Sequence, residues 1–448
     1  VNNPQIIYFN NGLAKELGLE FLSEEKVVAA EYLSGNKIPK GAATISQAYA
    51  GHQFGHFTML GDGRAVLLGE QINKNNQRYD IQLKGSGQTP YSRSGDGRAT
   101  LSSMLREYII SESMYHLGIP TTRSLAVTQT GEKVYREQVN NGGVLTRIAS
   151  SHIRVGTFEY IINFCSKEDL EIFIKYVIDR HYPEISDADN PILELLKVVM
   201  HKQIDLIVHW IRVGFIHGVM NTDNMSILGL TIDYGPFSFM ETYNPAFICN
   251  HSDSQGRYSF ERQPSVALWN LERLADAMRS LVDEDDLKDA LAVYQSSLVK
   301  EYSLLMRQKF GLLKVVDEDS TLINDFLQLL YTNKRDYHRS MRQLSDQKEQ
   351  SMGSEFDTWF ERYHKRIKQE IEKPEQRIIL MNSVNPKYVL RNYLAEVAIR
   401  KAEDLNQYDE IETLFNLLRS PFESHKEFDS YDSEAPEWAQ NLELSCSS

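Results

Sequence analysis

Scarcity sets the first limits on this chain. It holds three cysteines, Cys165, Cys249 and Cys446, too few and too scattered for a disulfide framework or a four-ligand zinc site. No apolar run approaches the roughly 20 residues needed to span a bilayer. Basic side chains are in deficit, 48 against 62 acidic ones, for a formal net charge of −14. That balance argues against a nucleic-acid partner, because phosphate backbones need a basic face, although a local basic pocket is compatible with it. Repeats and low-complexity linkers are absent as well.

What is present is ordinary globular material, 42% hydrophobic and 25% charged. At 448 residues the chain is too long for one compact core. Two lobes are expected, residues 1–155 and 156–448. No membrane-spanning or signal segment is read, and a monomer is expected. The location expected is cytoplasmic for a bacterial source and mitochondrial for a eukaryotic one, with the chain opening at Val1 rather than Met.

The N-terminal 50 residues read as a wrapping segment with short helices at 11–17 and 23–34. Next, Gly51, Gly55, Gly61 and Gly63 punctuate the run before Arg64 and a β-rich stretch, the order of a phosphate-covering loop on a strand pair. His52 and His56 are four apart, but the intervening glycines disfavour a helix, so structural hydrogen bonding is preferred to a metal role. Residues 79–84 alternate as a strand, with Asp80, Gln82 and Lys84 on one face.

A helix is predicted over 98–117, with Asp96 as N-cap and Gly118 and Pro120 as stop. Glu107 lies beside its apolar stripe, so it can point inward. A strand lysine paired with an inward helix glutamate fixes the ammonium on phosphate oxygens. The loop between, 85–98, is basic and hydroxyl-rich, and is open to two readings, a flap over nucleotide or a surface loop. Strands follow at 125–128, 134–137 and 144–147. Arg147 and Arg154 come next, near the crossing into the second lobe, and a guanidinium fork suits phosphate.

Residues 191–213 form a long amphipathic helix that runs into residues 217–235, HGVMNTDNMSILGLTIDYG. Asn224 and Asp233 offer the hard oxygens that Mg²⁺ prefers, and the apolar run 226–232 is expected to form a tight hairpin bringing them together. This passage resembles the catalytic and metal loops of the protein-kinase superfamily, with Asn224 for the metal-binding Asn and Asp233-Tyr234-Gly235 for Asp-Phe-Gly. It departs at one point: Val219 stands where the base belongs. Asp223 is the nearest replacement carboxylate. Further on, 269–363 is largely helical, 385–401 is one more helix, and 429–437 is acidic and loose.

Taken together, Tyr49-Ala50-Gly51-His52-Gln53-Phe54-Gly55, Gln82-Leu83-Lys84-Gly85-Ser86-Gly87, Ser94-Gly95-Asp96-Gly97-Arg98, the run from His217 to Asn224 and the terminal Ser445-Cys446-Ser447-Ser448 resemble the selenoprotein O family. The resemblance implies an α+β, protein-kinase-like bilobal fold, with an antiparallel-sheet N-lobe and a helical C-lobe carrying a helical C-terminal extension. It implies a pseudokinase that binds ATP in a flipped orientation and transfers AMP to Ser, Thr or Tyr hydroxyls of proteins, itself included, in redox or stress response. Lys84, Arg147 and Arg154 would hold the γ-phosphate end and Glu107 would hold Lys84. Gly61, Gly63, Arg64, Asp96 and Gly97 would contact the nucleotide. Asn224 and Asp233 would hold Mg²⁺ or Mn²⁺, and Asp223 would be the general base. A disulfide between Cys446 and Cys249, closing the tail over the active lobe, is a further expectation. Three rivals stand beside this reading: a conventional kinase using Asp223, a non-catalytic nucleotide-binding scaffold, and a UMP transferase.

Overall fold

The computed structural model describes residues 1–371 and 373–442. Strand β1 (Gln5–Phe9) leads into α1 (Asn11–Leu17), α2 (Phe21–Glu24) and α3 (Lys26–Leu33), which wrap one face of a sheet as expected. A separate hairpin, β2 (Ala50–Gln53) and β3 (His56–Met59), precedes β4 (Ala65–Ile72), β5 (Arg78–Lys84) and the short β6 (Ala99–Thr100). Helix α4 (Leu101–His116) and the long pair β7 (Arg123–Tyr135) and β8 (Val139–Ala149) complete the sheet region. The strands pair antiparallel in the order β1-β7-β8-β5-β4, with β6 on β8. The strands expected at 125–128 and 134–137 merge into the single strand β7, which ends at Tyr135, so residues 136–137 lie outside it.

Helices dominate the remainder. After α5 (Val155–Phe164), α6 (Lys167–His181) and α7 (Pro191–Arg212) come two short strands, β9 (Phe215–Ile216) and β10 (Ser238–Phe239). Then follow α8 (Gln263–Met278), α9 (Glu284–Ala292), α10 (Tyr294–Lys309), α11 (Asp319–Thr332), α12 (Tyr337–Ser345), α13 (Asp357–Ile367), α14 (Pro374–Val384), α15 (Asn392–Leu405) and α16 (Asp409–Leu418). Among the described residues, no helix is long and apolar enough to cross a membrane. The architecture is α+β, with an antiparallel sheet and many helices.

The boundary expected between residues 155 and 156 falls at the first residue of α5, and the apolar core runs across it. Leu105, Ile109 and Leu145 belong to the same buried apolar cluster as Phe158, Leu195, Ile207 and Phe415. A second cluster, including Phe310, Phe326 and Trp359, lies within α10–α14. Burial of each such side chain contributes about 1.5–3 kcal/mol, so the large shared core resists separation of sheet and helices.

Strand β5 shows how sequence pattern sets the site. Its alternation puts Asp80, Gln82 and Lys84 on one face, as predicted, and all three are buried. Buried polar groups need partners, and each has them. Asp80 accepts from the His152 backbone and imidazole at 3.0 and 3.1 Å and from Arg180 at 2.8 Å. Gln82 accepts from Arg147 at 3.1 Å, and Lys84 meets Glu107.

Three local expectations are corrected. Asp96 is not the N-cap of α4; Thr100 is, its hydroxyl accepting from Ser103 N at 3.2 Å, while Asp96 is taken up by Arg136 at 2.8 Å. The run 226–232 is not a hairpin, because its backbone is claimed by other segments. Thr122 N donates to Thr231 O at 3.0 Å, Thr231 N to Pro120 O at 2.9 Å, and Ile227 N to Ile153 O at 3.3 Å. The helix expected from 385 begins at Asn392. Lys387 and Tyr388 both donate their backbone N–H to Pro421 O, which holds that stretch extended. The loose segment at 429–437 contains part of a 3₁₀ turn, Lys426–Asp432, tied by Lys387 to Asp429 at 2.6 Å.

Candidate active site

Helix α7 positions the central loop. Asn190 caps its start and Pro191 fits the first turn, where no backbone donor is needed. Its apolar stripe buries Leu195, Leu196, Val199, Leu206, Ile207 and Trp210. Near its end, Trp210 stacks on His217 at 5.4 Å and donates from Nε1 to Thr231 Oγ1 at 3.0 Å. His217 Nε2 lies 2.8 Å from Ile232 O, and burial pushes the imidazole pKa down, favouring the neutral ring. One tryptophan and one histidine thus tie the loop's beginning to its end.

The carbonyls between are fixed in turn. Asn250 donates to Gly218 O at 3.1 Å, Asn224 to Val219 O at 3.0 Å and Asn270 to Met220 O at 3.0 Å. Three successive acceptors each receive a side-chain amide, so the loop is rigid where a reacting group must be held.

The loop opens onto a cavity of ≈ 350 Å³, inside the range of roughly 300–1,000 Å³ usual for small-molecule sites. Its walls include Gly63, Arg64, Lys84, Arg147, Val219, Asp223, Asn224 and Asp233. Lys84 meets Glu107, and Arg147 reaches the same carboxylate at 2.6 Å. Burial lowers the Lys84 pKa to about 8, Glu107 opposing and Arg147 and Arg64 reinforcing the fall. Arg147 also lies 2.8 Å from Asp233 Oδ1, and Arg154 lies 2.8 Å from Asp233 Oδ2. Lys84 approaches Asp233 at 4.0 Å. Burial alone would raise the Asp233 pKa; Arg147, Arg154 and Lys84 outweigh it and hold the carboxyl well below the usual range.

Asp223 is held differently. Burial lifts its pKa to about 6, with Arg154 opposing and Asp233 adding to the rise. Arg154 donates to its backbone oxygen at 2.9 Å, but the side-chain Oδ1 is buried with no hydrogen-bond partner. The hairpin β2–β3 lies against it: His52 N donates to Thr222 Oγ1 at 2.7 Å. A Cβ on Gly51 would come within 2.7 Å of Asp223 Oδ1, and one on Gly156 would strike Ala50 O. Two glycines are therefore what admits this carboxylate.

Not every expected residue reaches the cavity. Gly61 lies behind the wall, beneath the Tyr91 ring, and Arg154 is buried behind Asp233 rather than on the lining. Asp96 and Gly97 stand in the return limb of the 85–98 loop, away from the lining residues. That loop lies over the 62–63 turn, Thr89 Oγ1 donating to Asp62 O at 2.6 Å and Ser92 Oγ to Gly63 O at 2.5 Å. His52 pairs with Glu159 at 2.5 Å, while His56 sits on the opposite strand. The described residues hold no cluster of three or more His, Cys, Asp or Glu side chains able to take a metal. Cys249 donates to Pro236 O at 2.6 Å; its expected partner Cys446 lies outside the described residues.

Sequence reasoning passed over Tyr49, Gln53, Phe54, Asp62 and Asn221, which also line the cavity. Tyr49 stacks under Arg154 at 4.4 Å. Asn221 accepts from Phe54 N at 3.1 Å. The signal available was the Tyr49-to-Gly55 motif itself, whose residues are too polar and too glycine-rich for a strand that only packs.

A sparse ligand set suits Mg²⁺ or Mn²⁺ here. Magnesium is usually bound by one or two carboxylates plus substrate phosphates and water. Asn224 and Asp233 line one cavity and offer oxygen donors of the kind such an ion takes, with both Asp233 oxygens paired to Arg147 and Arg154 in this structure.

Comparison with known proteins identifies the family. A sequence model of the family described as protein adenylyltransferase SelO matches residues 1–419. The protein nucleotidyltransferase YdiU of Nitrosococcus oceani is 45% identical over 441 residues, covering 96% of this chain and 90% of the relative. Its namesake in Brevibacillus brevis is 47% identical, covering all of this chain and 93% of the relative. The one in Halalkalibacterium halodurans is 46% identical, covering 96% and 90%. The chain belongs to the SelO family and is an enzyme of the nucleotidyltransferase class.

Proposed function

We propose that this chain transfers AMP from ATP to Ser, Thr or Tyr hydroxyls of proteins, with the nucleotide reversed relative to a kinase. The observation that carries the reading is the division of charge in the cavity. Lys84 and Arg147 line it beside Asp233, with Arg154 behind the lining bridging that carboxylate and the Asp223 backbone oxygen, and among the described lining residues the unpartnered buried carboxylate oxygen belongs to Asp223. Val219 occupies the place where a kinase keeps its base, and its side chain accepts no proton.

The cationic end suits a polyphosphate tail, because guanidinium forks and a buried ammonium hold phosphate oxygens strongly when water is excluded. Glu107 keeps Lys84 and Arg147 in place, and Arg64 stands at the same wall. With the tail there, the α-phosphorus comes to the Asp223 side. The acceptor oxygen attacks phosphorus, its proton passes to the Asp223 carboxylate, and the bond to the β-phosphate oxygen breaks, releasing pyrophosphate to the cationic end. A bound Mg²⁺ or Mn²⁺, held by Asn224 and Asp233, would neutralise phosphate oxygens. A carboxyl with a pKa near 6 is suited to accept that proton near neutrality.

ATP labelled on the α- or the γ-phosphate tests the reading. Transfer of the α-label to protein, with the γ-label recovered in pyrophosphate, is expected. Transfer of the γ-label to protein would show a kinase instead, and transfer of neither would favour a scaffold.

A further inference from the structure

We infer that Arg257 reads an acidic side chain on the protein segment that carries the accepting hydroxyl. This rests on the protein-modifying reading above and adds a substrate preference to it. Arg257 follows the cavity rim in space: its guanidinium lies 3.6 Å from where a Cβ of Gly55 would stand, at the tip of the β2–β3 hairpin. The neighbouring Phe54 lines the cavity with Asp223 and packs on Tyr258 at 5.2 Å between ring centroids. Phe54 N donates to Asn221 Oδ1 at 3.1 Å, two residues before Asp223. Asp223, Asn221 and Phe54 line the cavity, and Arg257 stands just beyond Phe54 beside Gly55, within reach of a segment that delivers its hydroxyl over the hairpin tip.

The guanidinium is built as a receptor rather than left as a surface charge. It sits over the Trp269 ring at 4.8 Å and the Tyr258 ring at 5.8 Å, a seat that holds a cation by its attraction to the ring faces. Among the described residues it makes no ion pair. The adjacent Asp253 carboxylate is spent on backbone donors, accepting from Arg257 N at 2.9 Å and Tyr258 N at 2.8 Å. Arg257 Nε is buried without a hydrogen-bond partner, while the guanidinium engages the Tyr258 hydroxyl. A half-buried guanidinium fork with no acidic partner favours a carboxylate over a neutral ligand. In a chain of net charge −14, an arginine without an acidic partner at the hairpin tip is complementary to an acidic peptide. Phe54 keeps 37% of its surface exposed and Phe57 42%, which leaves an apolar floor for the rest of the segment.

Synthetic peptides with one Ser, Thr or Tyr, flanked on both sides by Glu, Gln or Lys, test this with α-labelled and γ-labelled ATP and the full chain. The wild type is expected to show a kcat/KM for Glu-flanked peptides roughly tenfold above that for Gln-flanked ones, expressed in KM. In Arg257→Gln that ratio should fall to near one, and in Arg257→Lys it should be partly kept; a ratio is insensitive to general loss of active protein. An equal ratio in wild type and Arg257→Gln, or no transfer of either label to Glu-flanked peptides, would overturn the assignment. Transfer of the γ-label with the same acidic preference would sink the AMP reading and uphold Arg257.

Discussion

Gly51 packs so closely on Asp223 that a methyl group on it would stand 2.7 Å from the carboxylate oxygen and 3.0 Å from the Asp223 backbone nitrogen. Gly51→Ala must therefore separate the β2–β3 hairpin from the loop that carries the base. Transfer activity should fall roughly 10–100-fold, since sub-ångström misplacement of reacting groups is enough for that. Stability should fall by about 1–3 kcal/mol, the usual effect of overpacking. Initial rates and a denaturant melt check both; full activity would show that the contact is incidental.

Arg147 stands between two carboxylates, Glu107 and Asp233, and is itself buried. Removing it leaves buried negative charge undercompensated, so Arg147→Met should destabilise the protein by about 3–5 kcal/mol. Glu107→Gln should be milder in stability, yet should lower kcat/KM roughly 100-fold by freeing Lys84 from its fixed place. Paired unfolding and kinetic measurements separate the two effects.

Asp223 gives a pH signature in metal-free buffer containing a chelator. Burial raises its folded pKa from 3.8 to about 6. The folded carboxyl thus holds its proton to a higher pH than the unfolded one. Its favourable contribution is complete below about pH 4 and is lost as pH rises through 6. Asp223→Asn cannot ionise, so above pH 6 it should be more stable than wild type by about 1–3 kcal/mol while losing transfer at least roughly 100-fold. Equal stability of the two proteins at pH 8 would contradict the burial account.

Asn224 holds Val219 O with its amide nitrogen at 3.0 Å, which leaves the amide oxygen for a cation. EDTA should stop transfer, and Mg²⁺ or Mn²⁺ should restore it. Asn224→Ala should raise the metal concentration for half-maximal rate at least roughly tenfold. A titration of rate against metal decides this; an unchanged midpoint would remove Asn224 from the ligand set.

How much was legible follows the range of each interaction. The Lys84–Glu107 pair was readable because each partner is placed by a local period, a strand alternation and a helical stripe. The loop from His217 to Asp233 was not readable as shape. Its supposed hairpin fails because residues near 120 and 153 claim the backbone, and no local pattern announces them. The role of Gly51 was legible only as a glycine, since the loop it serves is reached through a contact between residues 170 positions apart. Arg257 carried no signal at all, being one arginine in a polar loop until Trp269 and Gly55 are brought beside it.

The account turns on the orientation of the nucleotide, and a crystal structure with a non-hydrolysable ATP analogue and Mg²⁺ tests it directly. The terminal phosphate is expected against Lys84, Arg147 and Arg154, with the α-phosphorus turned toward Asp223. Adenine buried between sheet and helices with the terminal phosphate beside Asp223 would contradict it.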